Sequence, residues 1–109
     1  MDAYHEDNYK EIDTHSLFGT MQVQASDSWF AKHNRRTFIL SRSSVAGHGK
    51  FGSKWLGDNG SSVEYLAQSV LGSMSMNLFG ISLIGADICG FGGGAVHELC
   101  ARWYMVAAF

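Results

Sequence analysis

The sequence predicts an α/β chain in which helices flank a short parallel sheet, and three observations lead there. Helix-spaced and strand-like apolar segments alternate along the 109 residues, as βαβ units require. Two stretches, Trp55-Leu56-Gly57-Asp58-Asn59 and Gly85-Ala86-Asp87-Ile88-Cys89-Gly90-Phe91, each place a carboxylate just past a short apolar run. In parallel α/β folds the carboxyl ends of strands are where functional groups gather. The run Ile81 to Ala86 is apolar without alternation except at Ser82, the pattern of a strand covered on both faces.

Taken in order, Leu17 to Ala31 carries apolar side chains at helical spacing (Leu17, Phe18, Met21, Ala25, Trp29) and reads as a helix. Thr37-Phe38-Ile39-Leu40 is a β-branched and aromatic run between charges, a buried strand by pattern. Ser43 to Gly52 is a Ser- and Gly-rich loop, and Lys54-Trp55-Leu56 a very short second strand. Ser61 and Glu64 form an S-x-x-E capping box. It opens a helix from Ser62 to about Leu78 whose apolar face is Val63, Leu66, Ala67, Val70 and Met74, ending with Asn77 or Leu78. Gly80 ends that helix, because glycine tolerates the left-handed conformation there. After the strand Ile81 to Ala86, Gly92-Gly93-Gly94 makes a loop and Val96 to Phe109 a final helix.

Helix, strand, strand, helix, strand, helix amounts to roughly half of an eight-stranded α/β barrel. Half a barrel leaves two sheet edges unpaired, which invites aggregation. The chain is therefore read as a fragment. Its polar, acidic start (MDAYHEDNYKEID) has no apolar leader core and runs straight into patterned sequence. Thirteen glycines with no proline is unusual, since about five prolines would be expected.

Composition narrows the function. An apolar share of 46% with 17% charged residues fits a packed core rather than a disordered chain. A net charge of −2 and a pI near 6.2 argue against nucleic acid. Lys32, Arg35 and Arg36, beside Asn34, are the only local basic cluster. No apolar run reaches the length of about eighteen residues that a membrane span needs, since Leu78 to Ala95 is broken by Asp87 and several glycines. His5, His15, His33, His48 and His97 are scattered without zinc-ligand spacing, and no G-x-S-x-G frames a serine nucleophile. Gly47-His48-Gly49-Lys50-Phe51-Gly52 lacks the frame of a phosphate-cradling loop, which also removes a flavodoxin-like binding module.

Asp58 and Asp87 are the candidate chemical pair. Two carboxylates at neighbouring strand ends suit general acid/base or glycosidic work, or else they cap helices and bond loop amides. Trp55 beside Asp58 could be a platform for a sugar ring, and Phe91 either a second platform or core. Arg42 follows the first strand, where a guanidinium can hold a carboxylate charged, bind substrate hydroxyls, or make a structural ion pair. Cys89 and Cys100 read as free buried thiols or as a disulfide closing a short loop, the latter worth ~2–3 kcal/mol and implying an oxidising compartment. Asn59-Gly60-Ser61 is formally an N-glycosylation acceptor abutting the candidate catalytic loop.

Together the motifs resemble glycoside hydrolase family 31, and within it the acid and secreted α-glucosidases. They are Asp13-Thr14-His15-x-Leu17-Phe18-Gly19-Thr20-Met21, Ile39-Leu40-Ser41-Arg42-Ser43, Ala46-Gly47-His48-Gly49, the Asp58 and Asp87 stretches, and Glu98-Leu99-Cys100-Ala101-Arg102-Trp103. The resemblance runs from about Tyr4 to Phe109. It implies part of a (β/α)8 TIM barrel, about strands five to seven with their helices. The implied reaction releases terminal α-linked glucose from maltose-like oligosaccharides with retention, using no metal or organic cofactor. By the same resemblance Asp58 matches the general acid/base, and Arg42 the arginine of the first sugar subsite. Trp55 and Phe91 match its aromatic walls, Asp87 an acidic residue lining it, and Cys89 and Cys100 a disulfide pair.

The family's nucleophile, an aspartate in a W-x-D-M-N-E strand, and its R-N-H histidine find no counterpart here. A retaining double displacement needs both carboxylates, so the isolated chain is expected to be inactive. Ser16 stands where the family has Asn, Val106-Ala107-Ala108-Phe109 replaces x-L-G-A-F, and Thr37 and Ser82 replace prolines. A truncated or pseudogene-derived relic is the alternative expectation, and an isomaltase-like or transglycosylating relative the near one. Expected partners are the oligosaccharide and the remainder of the chain's own barrel. The expected location is secreted, or lysosomal or vacuolar, inferred from family and cysteines.

Overall fold

The computed structural model describes residues 3–109. Three very short strands, β1 (Leu40–Ser41), β2 (Ser53–Trp55) and β3 (Ile84–Gly85), form one parallel sheet in the order β1-β2-β3. Leu40 lies opposite Ser53, Lys54 opposite Ile84 and Trp55 opposite Gly85. Parallel neighbours need a crossover. The one between β2 and β3 contains the helix α3 (Val63–Leu78), while an eleven-residue loop with a single turn at His48–Lys50 joins β1 to β2. Before the sheet come a turn at Glu6–Asn8, α1 (Glu11–Thr14), a second turn at His15–Leu17 and α2 (Phe18–Lys32); α4 (His97–Ala107) follows it.

Helix ends follow backbone chemistry. Asn34 takes φ 52° after α2, where its amide bonds the Ala31 carbonyl (3.1 Å) and that of Arg35 bonds Phe30 (3.1 Å). Gly80 (φ 84°) closes α3 the same way, with Gly80 N–H on Asn77 and Ile81 N–H on Met76, both at 3.0 Å. These pairs satisfy carbonyls that the last turn leaves free, and Gly and Asn are the residues that tolerate the conformation. The N-terminal cap of α3 is one residue later than the capping box predicts. Ser62, extended at φ −148°, accepts the Tyr65 amide at 3.4 Å, while the Ser61 amide is committed to the Gly92 carbonyl (2.7 Å). The Ser62 hydroxyl also holds the Glu64 carboxyl below its ordinary range.

The buried face of α3 differs from the expected one. Leu66, Ser69, Gly72, Ser73 and Met76 turn toward the sheet, whereas Val63, Val70, Met74 and Leu78 are exposed. The closest approach is at Gly72, where a β-carbon would stand 2.9 Å from Leu56 Cδ1, and small Ser69, Gly72 and Ser73 share this face with the longer Leu66 and Met76. Two strand expectations are corrected as well. Pairing begins at Leu40, and Phe38 is 76% exposed because β1 is a sheet edge with one face uncovered. Within Ile81 to Ala86 only Ile84 and Gly85 pair, and Ile81 is buried while Leu83 is exposed. The buried apolar residues are Val23, Ile81, Cys89, Leu99 and Trp103.

Cys89 and Cys100 are joined, tying the loop after β3 to α4. Among the described residues no helix is long and apolar enough to cross a membrane.

Candidate active site

Arg42, Asp58 and Asp87 all follow the carboxyl ends of their strands, so one edge of the sheet presents all three. Arg42 comes directly after Ser41, and its Cζ lies 5.4 Å from the centre of the Trp55 ring. A cation over an indole face at this range is attracted by the ring quadrupole. The guanidinium also reaches toward Asp58, with Nη1 and Oδ1 3.9 Å apart. That is an ion pair without a direct hydrogen bond, which leaves both groups donor and acceptor capacity. Gly57 makes the arrangement possible twice over. Its φ of 92° is open to glycine, and a β-carbon there would lie 2.8 Å from Arg42 Nε.

Trp55 works from its edge as well as its face, because Nε1–H donates to Asp87 Oδ1 at 2.9 Å. The second oxygen, Asp87 Oδ2, is buried and has no partner among the described residues. Arg42 is anchored from behind, since the Lys54 ammonium donates to its carbonyl. Desolvation, and then the nearby Arg42 charge, lower the Lys54 pKa. Arg42, Trp55, Asp58 and Asp87 thus form one connected set of cation, aromatic face and two carboxylates. Phe91 stands apart at the rim, 71% exposed.

Two residues given no chemical part by sequence reasoning hold the frame. Asn59 Nδ2 donates to the Asp87 carbonyl (3.2 Å), and its Oδ1 accepts the Asp87 amide (3.0 Å). The nitrogen a glycan would occupy is therefore engaged in the folded chain. His48 is fully buried. Its Nε2 faces the Ser53 carbonyl (3.2 Å), which can only accept, so Nε2 carries the proton. The Thr20 hydroxyl meets Nδ1 at 3.0 Å and accepts the Val45 amide at 3.3 Å, joining α2 to the β1–β2 loop. The glycines around His48 were a signal of close packing. On Gly49 a β-carbon would collide with the Gly80 carbonyl at 2.0 Å, and on Gly52 with Val23 at 2.6 Å.

His5 and His15 both bond the Glu11 carboxylate, and His33 stacks on Trp29, so these imidazoles are placed far along the chain from the set around Asp58. Among the described residues no group of three or more His, Cys, Asp or Glu side chains could hold a metal ion.

A parallel β/α unit that collects its polar groups at the carboxyl ends of its strands belongs to the class of α/β enzyme domains, which build their sites there in barrels and open sheets alike. The particular family follows from comparison: residues 1–109 match the glycosyl hydrolases family 31 TIM-barrel domain, and the chain belongs to that family. It is 44% identical over 108 residues to a probable α-glucosidase of Oryza sativa subsp. japonica, covering 98% of this chain and 12% of that protein. Over 96 residues it is 46% identical to lysosomal α-glucosidase of Rattus norvegicus, covering 87% of this chain and 10% of the relative. Its fold matches a crystal structure of glucosidase II α subunit bound to α3-Glc2 with a TM-score of 0.85 and 32% identity, over 97% of this chain and 12% of the other. The chain thus spans about an eighth or less of these relatives.

Proposed function

We propose that this chain is the acid/base-bearing segment of a retaining, exo-acting α-glucosidase, covering about the fifth to seventh strands of a (β/α)8 barrel. The observation that carries the proposal is Asp58 at the carboxyl end of β2, with Arg42 3.9 Å away and Trp55 beneath that guanidinium. Family membership and relatives that are α-glucosidases supply the reaction class. The exposed apolar groups Phe38, Leu78 and Phe109 support the extent, since a barrel segment leaves such surface for its neighbouring strands and helices.

In this reading Asp58 gives its proton to the glycosidic oxygen as the bond to the anomeric carbon breaks. It then takes a proton from the water that releases glucose from the glycosyl-enzyme. Arg42 donates to hydroxyls of the first-subsite sugar. Trp55 and Phe91 supply aromatic walls, and Asp87 lines the same subsite, where its Oδ1 holds the Trp55 indole. The nucleophile comes from another strand of the barrel, so the segment alone does not turn over substrate. Neither metal nor organic cofactor takes part. The bonded cysteine pair and the relative named lysosomal support a secreted, lysosomal or vacuolar location.

The test is Asp58→Asn in the full-length polypeptide. Turnover of maltose should fall by about 10²–10⁴-fold. An aryl glucoside with a good leaving group should still give a burst of phenol, because it needs no protonation to depart. Unchanged maltose turnover would sink the assignment. The alternative, a relic without activity, predicts no turnover from the full-length wild type while the sheet and disulfide persist.

A further inference from the structure

We propose that Asn59 is a positioning residue, a two-point amide clamp that locks the loop carrying Asp58 to the loop carrying Asp87 and Phe91. The inference rests on the hydrolase reading for its activity arm only. The need for a clamp follows from the sheet. β2 has three residues and β3 two, so regular pairing stops at Trp55 and Gly85, before either carboxylate is reached. Beyond that point the loops must be held by other bonds.

Asn59 supplies them. Its amide bonds the carbonyl and the N–H of the single residue Asp87, as a paired strand would. Its own carbonyl accepts the amides of Phe91 (2.7 Å) and Gly92 (3.2 Å). Gly60 then bridges Gly92 in parallel, and Gly90 packs so closely that a β-carbon would lie 2.6 Å from the Gly60 carbonyl. One side chain thus continues the sheet past its end and fixes the backbone of Asp87. With that backbone fixed, Asp87 Oδ1 is aimed at Trp55 Nε1, and the indole in turn carries Arg42. Aspartate matches asparagine in shape but, when ionised, sets an oxygen rather than an N–H against the Asp87 carbonyl. When protonated, it can donate there as asparagine does.

The experiment compares Asn59→Ala and Asn59→Asp in the full-length polypeptide. Hydrogen exchange of the Asp87 amide should quicken at least tenfold in Asn59→Ala, while the Leu56 amide, bonded to Gly85, keeps its protection. Unchanged Asp87 exchange overturns the clamp. Per folded molecule, kcat should fall at least tenfold in Asn59→Ala at every pH. In Asn59→Asp it should recover as the medium turns acid enough to protonate the introduced carboxyl group, which ionises above the usual ~3.9 because a carbonyl faces it. A lower melting temperature with wild-type kcat and a wild-type pH profile shows a merely structural side chain and overturns the positioning role. Asp58→Asn, measured alongside, separates the two ideas. If it retains wild-type turnover, the hydrolase reading fails and the exchange data still decide the clamp.

Discussion

Three glycines in the loop after β3 should respond to the same substitution in three different ways. Gly90 has φ 85°, and a β-carbon there would meet the Gly60 carbonyl oxygen, Ser61 Cα and Ser61 N, each at 2.6 Å. All three are backbone atoms and cannot swing away. Gly90→Ala therefore incurs the left-handed strain of about 1–2 kcal/mol. It adds overpacking of about 1–3 kcal/mol. A total near 3 kcal/mol corresponds to roughly a hundredfold easier local opening. Gly93 has φ 92° but its nearest neighbour is Ser61 Cβ at 3.8 Å, so Gly93→Ala carries strain alone, about tenfold. Gly94 has neither a positive φ nor any atom within 4 Å, and Gly94→Ala should be neutral. The assay is hydrogen exchange of the Ser61 and Phe91 amides, which bond Gly92 and Asn59 across the crowded contact. If Gly90→Ala opens the loop no more than Gly93→Ala, the close approach of the two loops is wrong.

Other expectations concern the frame and the N-terminal arm. Gly57→Ala should displace the Arg42 guanidinium and, on the α-glucosidase reading, raise KM for maltose in the full-length polypeptide, as steady-state kinetics would record. Cys100→Ser should cost ~2–3 kcal/mol by freeing the loop of separation 11, seen as a lower denaturant midpoint with the loop after β3 exchanging fastest. Thr20→Val should cost about 1–3 kcal/mol by leaving His48 Nδ1 and the Val45 amide without their partner, visible as a drop in thermal midpoint. His15, then His5, lower the Glu11 pKa from 4.5 through hydrogen bonds, so the ionised form is favoured on folding. The contribution is whole above about 4.5 and disappears as pH falls through the lower folded value. The protection factor of the Glu11 amide, bonded to the Ala3 carbonyl, should fall over that acid range.

Much of this molecule is legible in its sequence, and the parts that are not share a physical cause. The order of helices and strands, Gly80 as a helix stop, and the placing of Arg42, Asp58 and Asp87 after their strands all follow from local pattern, which acts over a few residues. The disulfide partner of Cys89 followed from likeness to a family, and spacing alone left it open. What pattern misjudges is depth. Phe38 and Leu78 look like core by type, yet burial depends on what lies opposite, and among the described residues both stay largely exposed. Conversely Ser69 and Gly72 are unremarkable in a sequence but sit on the side of α3 that faces β3 and Leu56. Asn59 is hidden for a related reason: its partners are 28 positions away, and no local signal announces them.

The indole of Trp55 lies between charges of opposite sign, a guanidinium off its face and a carboxylate on its ring nitrogen. Exciting an indole moves electron density from the pyrrole ring toward the benzene ring, so its emission colour reads the electric field across it. On the α-glucosidase reading, a sugar that draws Arg42 into new bonds alters that field, and the emission of Trp55 becomes an optical gauge of occupancy built into the segment.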